Sequence, residues 1–96
     1  MVTVWTPKAT AELRKAFDYI SQSSPQNAKK VIDEIIALAD KLPQYPEIYS
    51  IDKYKRNNNG SWRAFEKYHY RISYRITEKE IQVVRMRHTS RTPLNY

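Results

Sequence analysis

Apolar positions recur along this chain with two different periods, and the change of period divides it into two parts. Val2 and Val4 alternate with Thr3 in a short opening segment that reads as a strand. Thr6-Pro7 follows as a cap and a proline suited to a first helical turn. Ala9, Leu13, Ala16, Phe17 and Ile20 then fall on one helical stripe. Glu12, Arg14, Lys15 and Asp18 lie mostly on the opposite face. The first helix is predicted to end near Gln22. Ser24-Pro25 repeats the start signal, and Ala28, Val31, Ile32, Ile35, Leu38, Ala39 and Leu42 form a second stripe, stopped by Pro43 and Pro46. So short a link predicts an antiparallel helix hairpin, with both stripes in the core.

Residues 43–61 lack periodicity and read as a basic loop or frayed edge strand, with an Asn59-Gly60 turn signal near their end. From Trp62 the period is two. Trp62–Lys67 reads as a strand. Tyr70, Ile72, Tyr74 and Ile76 alternate with Arg71, Ser73 and Arg75 in the next. Thr77-Glu78-Lys79 makes a tight connection, and Ile81–Arg87 reads as the last strand. The predicted class is α+β in the order β-α-α-β-β-β, one domain over residues 1–96. A helix hairpin packs on one face of a small, mainly antiparallel sheet. The other face is expected to display Arg71 and Arg75.

Charge sharpens this picture. The net charge of +7 is confined to the second half: residues 1–49 carry six basic and six acidic side chains, and residues 50–96 carry eleven and four. A one-sided basic domain attracts phosphates or acidic proteins, although solubility alone also accounts for such a balance. The absence of cysteine excludes disulfides and thiolate metal sites and suits a reducing cytosol. The opening residues lack a basic, apolar leader, and no run is long enough for a membrane span, so a cytoplasmic protein without membrane contact is expected. Several enzyme classes drop out. Gly60 is the sole glycine, which removes both Gly-rich phosphate loops and the Gly-x-Ser-x-Gly elbow. Two histidines without cysteine make a poor zinc set, and Asp33-Glu34 point to different helix faces. No cofactor or metal is expected.

Four short stretches, in order, resemble the RelE/ParE superfamily of small bacterial toxins. They are Val4-Trp5-Thr6-Pro7-Lys8-Ala9 with Glu12-Leu13, Leu42-Pro43-Gln44-Tyr45-Pro46-Glu47, Tyr70–Ile76, and Arg87-His88-Thr89-Ser90-Arg91-Thr92-Pro93. The resemblance covers nearly the whole chain. It implies the toxin of a toxin–antitoxin pair, neutralised by an acidic antitoxin that wraps it. RelE-like members cut messenger RNA in the ribosome; ParE-like members bind DNA gyrase and do no chemistry. The resemblance leaves both branches open; messenger cleavage is the first reading, with gyrase inhibition and a basic nucleic-acid-binding module without toxicity as the alternatives.

The nuclease branch needs a proton acceptor, a proton donor and cations for the phosphorane, which such sites assemble from Lys, Arg, Tyr and sometimes His. The candidates are His88 for acid–base work, Arg91 and Arg71 as a phosphate clamp, and Tyr96 to stack on a base or donate a hydrogen bond. Lys53, Lys55, Arg56, Arg75, Arg85 and Arg87 are candidates to hold a nucleic-acid backbone. Each has a plainer role to set beside that one. His88, placed just past a strand, equally caps a carbonyl. The strand arginines equally form a solvated face. Tyr96 ends the sequence, where side chains are often unordered. His69 sits in a connection and is given no role. The tail Thr92–Tyr96 has no basic residue after Arg91, unlike the dense basic cluster typical of the RelE-like branch.

Overall fold

The computed structural model describes every residue except Leu94. The elements are β1 (Val2–Trp5), α1 (Pro7–Ser21), α2 (Pro25–Lys41), a 3-10 turn at Leu42–Gln44, β2 (Trp62–Lys67), β3 (Tyr70–Ile76) and β4 (Glu80–His88). Both helices start as their sequences direct. The Thr6 hydroxyl accepts from the Ala9 N–H at 3.2 Å, and the Ser24 hydroxyl accepts from the Asn27 N–H at 3.1 Å. α1 stops at Ser21, with Gln22 as its C-cap.

The sheet order is β1-β4-β3-β2. β2, β3 and β4 form an antiparallel meander, and β1 adds to the outside of β4 in parallel. The helices cover one face. Ile35 and Val31 of α2 pack there with Ile72 and Tyr74 of β3 and with Ile81, Val83 and Met86 of β4. The other face is open.

Strand β4 does not keep a simple alternation. Tyr74 pairs with Val83, but Ser73 pairs with Arg85, so Val84 is an extra residue that bulges out of register. The bulge has a large consequence. Ile81 and Val83 face the helices before it, and Met86 faces them after it. Arg85 and Arg87 are thereby turned onto the open face, opposite Ser73 and Arg71. With an unbroken period of two, these arginines would point into the core beside Ile81 and Val83.

Residues 45–61 form an ordered loop whose only pairing among the described residues is the bridge Ile51–Arg63. Buried polar contacts hold it. The Tyr74 hydroxyl donates to the Pro46 carbonyl at 2.7 Å, and Arg63 donates to the Tyr49 carbonyl at 2.8 Å. Asn58 donates to the Trp62 carbonyl at 2.8 Å and accepts from the Gly60 N–H at 2.8 Å. Gly60 turns the chain at a φ of +96°, which suits glycine.

Two sequence expectations need correction. Phe17, assigned to the core stripe of α1, is 37% exposed, because at helical spacing it lies at the margin of the stripe centred on the buried Ala9 and Ala16. Val2 and Val4 share a face as expected; it is the open one, and they are exposed. Thr3 and Trp5 turn inward instead, and the Thr3 hydroxyl donates to the Ala39 carbonyl at 2.6 Å. His88 is the last residue of β4 rather than past it. Among the described residues no helix is long and apolar enough to cross a membrane.

Ile35 is fully buried at the helix–sheet interface. We expect Ile35→Ala to lower the unfolding free energy by about 3 kcal/mol, measured by urea titration. Phe17→Ala should cost clearly less, since much of that ring already meets water.

Candidate functional site

The open face ends in a hollow where β3, β4, the 52–56 loop and the tail meet. Arg71, Arg85, Arg87, His88, Arg91 and Tyr96 all line it, together with Asp52, Tyr54 and Glu66. All four proposed catalytic residues therefore reach one concavity, and so do Arg85 and Arg87. Lys53, Lys55, Arg56 and Arg75 lie outside it.

The centre of the hollow is a carboxylate that sequence reasoning passed over. Asp52 has a side chain with no solvent exposure. Its Oδ1 accepts from an Arg71 Nη at 2.9 Å and from the Tyr54 N–H at 3.0 Å; its Oδ2 accepts from the Tyr96 hydroxyl at 2.5 Å. Burial by itself would raise the Asp52 pKa. The hydrogen bonds from Tyr96, Arg71 and the Tyr54 amide, with the Arg71 charge, outweigh it and hold the carboxyl below the ordinary carboxylate value. Burial and the bond to Asp52 push the Tyr96 phenol well above the ordinary tyrosine range.

Arg71 is committed twice. Its other terminal nitrogen donates to Glu66 at 3.2 Å, and its guanidinium lies 4.9 Å from the centre of the Tyr54 ring. Its Nε is buried without a partner. Arg85 is also spoken for. Glu12 of α1 accepts from its Nε and Nη2, at 3.2 and 3.0 Å. The same carboxylate accepts from the Met86 N–H at 2.9 Å. β1 stops pairing at Val83, so Glu12 supplies the acceptor that a continuing strand would have given.

The tail is tied down as well. The Tyr96 N–H donates to the Tyr54 carbonyl at 3.1 Å, and the Tyr96 carbonyl accepts from the Arg56 N–H at 2.6 Å. The Tyr96 ring meets Trp62 edge-on at 5.8 Å, and the Lys55 ammonium lies near both rings, 4.6 Å from Trp62. Arg75 lies over Trp62 at 5.0 Å, and Lys53 beside Tyr54 at 5.3 Å. Tyr96 is ordered by these contacts.

His88 turns away from this network. It pairs with Tyr70, whose side chain belongs to the helix face, and its ring meets Tyr70 edge-on at 5.1 Å. Its Nδ1 accepts from the Ser90 N–H at 3.1 Å. A ring nitrogen that accepts an N–H is the unprotonated one, so a neutral His88 carries its proton on Nε2 and offers a donor. The His88 carbonyl accepts from the Arg91 N–H at 3.1 Å. Arg87 and Arg91 have no carboxylate partner among the described residues. His69 serves the backbone: at a φ of +65° it closes the β2–β3 turn, and its carbonyl accepts from the Thr89 N–H at 2.7 Å.

Chemically, the hollow holds an ion-pair network whose carboxylate is fully engaged rather than a poised acid–base couple. Both Asp52 oxygens are occupied and their proton affinity is low. Tyr96 is held too firmly protonated to give up its proton. Among the described residues no group of three His, Cys, Asp or Glu side chains is placed to hold a metal. The sequence offers one weak signal for Asp52: a lone acid in the strongly basic stretch 52–56.

A protein-family model described as "ParE toxin of type II toxin-antitoxin system, parDE" matches residues 3–93. A curated relative, Toxin RelE2 of Caulobacter vibrioides, is 33% identical over 89 residues, spanning 92% of this chain and 94% of the relative. The solved structure titled "Chromosomal ParDE TA system from P. aeruginosa" aligns with a TM-score of 0.70 at 25% identity, over 92% of this chain and 95% of that one. The YoeB dimer from Staphylococcus aureus aligns at a TM-score of 0.57 and 16% identity, over 92% of this chain and 95% of that one, and shares the fold.

The Asp52 shift predicts an acid-labile fold. The unfolded chain binds this proton at a higher pH than the folded chain does. The stability that depends on the ionised carboxyl is therefore complete above about pH 4 and is lost as pH falls through the folded value. Urea midpoints from pH 7 down to pH 3 should show this loss. Asp52→Asn should flatten that limb and cost about 3 kcal/mol at pH 7, by taking from Arg71 its buried carboxylate partner and leaving it only the exposed Glu66.

Proposed function

The chain belongs to the ParE toxin family of type II toxin–antitoxin systems, and on that premise we propose that it arrests growth by binding a protein target rather than by cutting RNA. DNA gyrase is the target the family resemblance implies. An acidic antitoxin neutralises the toxin by covering its basic surface.

One observation carries this reading: both oxygens of the buried Asp52 carboxylate are already engaged. A metal-free ribonuclease site needs a free base for the 2′-hydroxyl and free cations for the phosphorane. Here the buried carboxylate spends its lone pairs on Arg71, Tyr96 and a backbone amide. Arg85 is spent on Glu12. His88 offers a donor but has no base among its hydrogen-bond partners. Among the described residues Lys53, Lys55, Arg75, Arg87 and Arg91 have no carboxylate partner; the first three lie outside the hollow and the last two on its wall, and none bonds to the Asp52 carboxylate. Such an arrangement steers and orients an acidic protein surface.

The test is a paired assay on one purified sample. Plasmid supercoiling by gyrase should fall in proportion to added protein and level off near stoichiometry. Labelled messenger on translating ribosomes should stay intact. His88→Ala should leave gyrase inhibition unchanged, and Lys53→Glu with Arg91→Glu should weaken it and make it less salt-sensitive. Messenger cleavage abolished by His88→Ala would instead establish the nuclease and overturn the binding mechanism.

A further inference from the structure

A second concavity opens at the uncovered end of β4, between α1 and the strand's last residues, and shares Arg87, His88 and Arg91 with the first. It is a cleft of about 410 Å³. Lys15 and Tyr19 of α1 form one wall, one helical turn apart. Tyr70 and Met86 form the floor, and Arg87 and Arg91 close the far side. We propose that this cleft is an anion pocket that takes a carboxylate side chain of the antitoxin, with Arg87 as its principal cation. The proposal rests on the toxin–antitoxin reading and adds to it a place and a chemistry of recognition.

Three observations carry it. First, the cations are unspent. Every ion pair among the described residues involves Lys29, Arg71 or Arg85, and none involves Lys15, Arg87 or Arg91. Second, the Arg87 Nε is buried without a hydrogen-bond partner among the described residues. A charged donor stripped of water and left unpaired is costly, and an incoming carboxylate removes that cost. Third, the same strand already binds a carboxylate one position away. Glu12 takes the Arg85 guanidinium and the Met86 amide together, which shows how an acid docks on this uncovered edge of the sheet. Glu12 also lines the cleft, but its oxygens are held by those two partners.

The shape favours an acidic peptide over a nucleic-acid strand. A phosphate backbone repeats its charge and calls for a continuous basic track. This cleft groups three cations against aromatic and apolar walls, Ala16 and Met86 among them. Tyr19 is 67% exposed, and Phe17 adds apolar surface on the same helix. Burial, with Tyr19 adding and Arg91 opposing, raises the Tyr70 phenol above the ordinary tyrosine value, so it stays a donor. A segment that carries a glutamate or aspartate beside leucine or phenylalanine matches both features.

The test uses the full chain and a fluorescein-labelled twelve-residue peptide of Leu, Phe and Glu, read by fluorescence anisotropy. A Gln-for-Glu version of the peptide and a twelve-nucleotide RNA serve as competitors. The Glu peptide should bind and the Gln peptide should not. Arg87→Gln and Arg91→Gln should each weaken binding about tenfold, the usual worth of a charge-assisted hydrogen bond. Lys79→Gln removes one positive charge from the exposed turn between β3 and β4, outside both concavities, and should leave binding intact. An equal loss in all three variants would mean unspecific charge attraction and overturn the pocket. RNA competing through Arg87 as well as the Glu peptide does would make this a phosphate site and overturn the antitoxin assignment. Growth on induction separates the two readings. A chain that arrests growth but ignores the Glu peptide sinks the pocket alone, whereas a chain that never arrests growth sinks the toxin reading whatever the peptide does.

Discussion

The Asp52 carboxylate is the point on which three otherwise separate parts of this molecule depend. It sits in the aperiodic loop, yet its side chain is satisfied by Arg71 from the central strand and Tyr96 from the tail. Its backbone joins in: the Asp52 N–H donates to the Trp62 carbonyl at 2.8 Å, and the Asp52 carbonyl accepts from Asn58 and Lys55. Burying a charge costs several kcal/mol, and the cost is met only when good donors occupy every position around it. Remove one donor and the others no longer suffice. The network therefore works as a unit, and it converts 45–61 from a loose connection into a fixed wall of the open-face hollow.

That unit also redistributes the protein's charge. The composition suggests a sheet paved with arginine. In the fold, Asp52 and Glu66 neutralise Arg71, and Glu12 neutralises Arg85. The excess of +7 is carried instead by the margins: the 53–56 loop, Arg75 beside Trp62, and Arg87 and Arg91 at the end of β4. A cation already bonded to a carboxylate contributes little field at a distance, whereas an unpaired one contributes fully. The electrostatic footprint is thus a ring of unpaired cations around a neutralised centre.

Much of the fold is legible in the sequence. Thr6-Pro7 and Ser24-Pro25 announce both helices, and the alternation of Tyr70–Ile76 announces the central strand, because caps and periods are local properties of the chain. Four short stretches were enough to point to the family. What escaped was non-local. The bulge at Val84 decides which way Arg85 and Arg87 face, and nothing in Val83-Val84-Arg85 says which residue will be left out of the ladder. Phe17 lies at the margin of a proper helical stripe, where burial depends on what packs beneath it. Asp52 looks like one acid in a basic run, since its partners lie 19 and 44 residues away.

The uncovered edge of β4 shows how a small change on this scaffold shifts its capability. β1 covers β4 only as far as Val83, and beyond that the strand's outward amides need another acceptor. Glu12 meets the need for Met86 and, having reached the edge, also holds Arg85. The bulge turns both Arg85 and Arg87 to one side, but α1 supplies a carboxylate for the first alone. Arg87 is left between two concavities, lining each and paired in neither. The difference between a silent arginine and an available one here is one carboxylate, Glu12, which pairs with Arg85 and not with Arg87. Fold similarity alone therefore says little about whether such a toxin cuts, binds or is bound; the pairing state of each strand arginine says more.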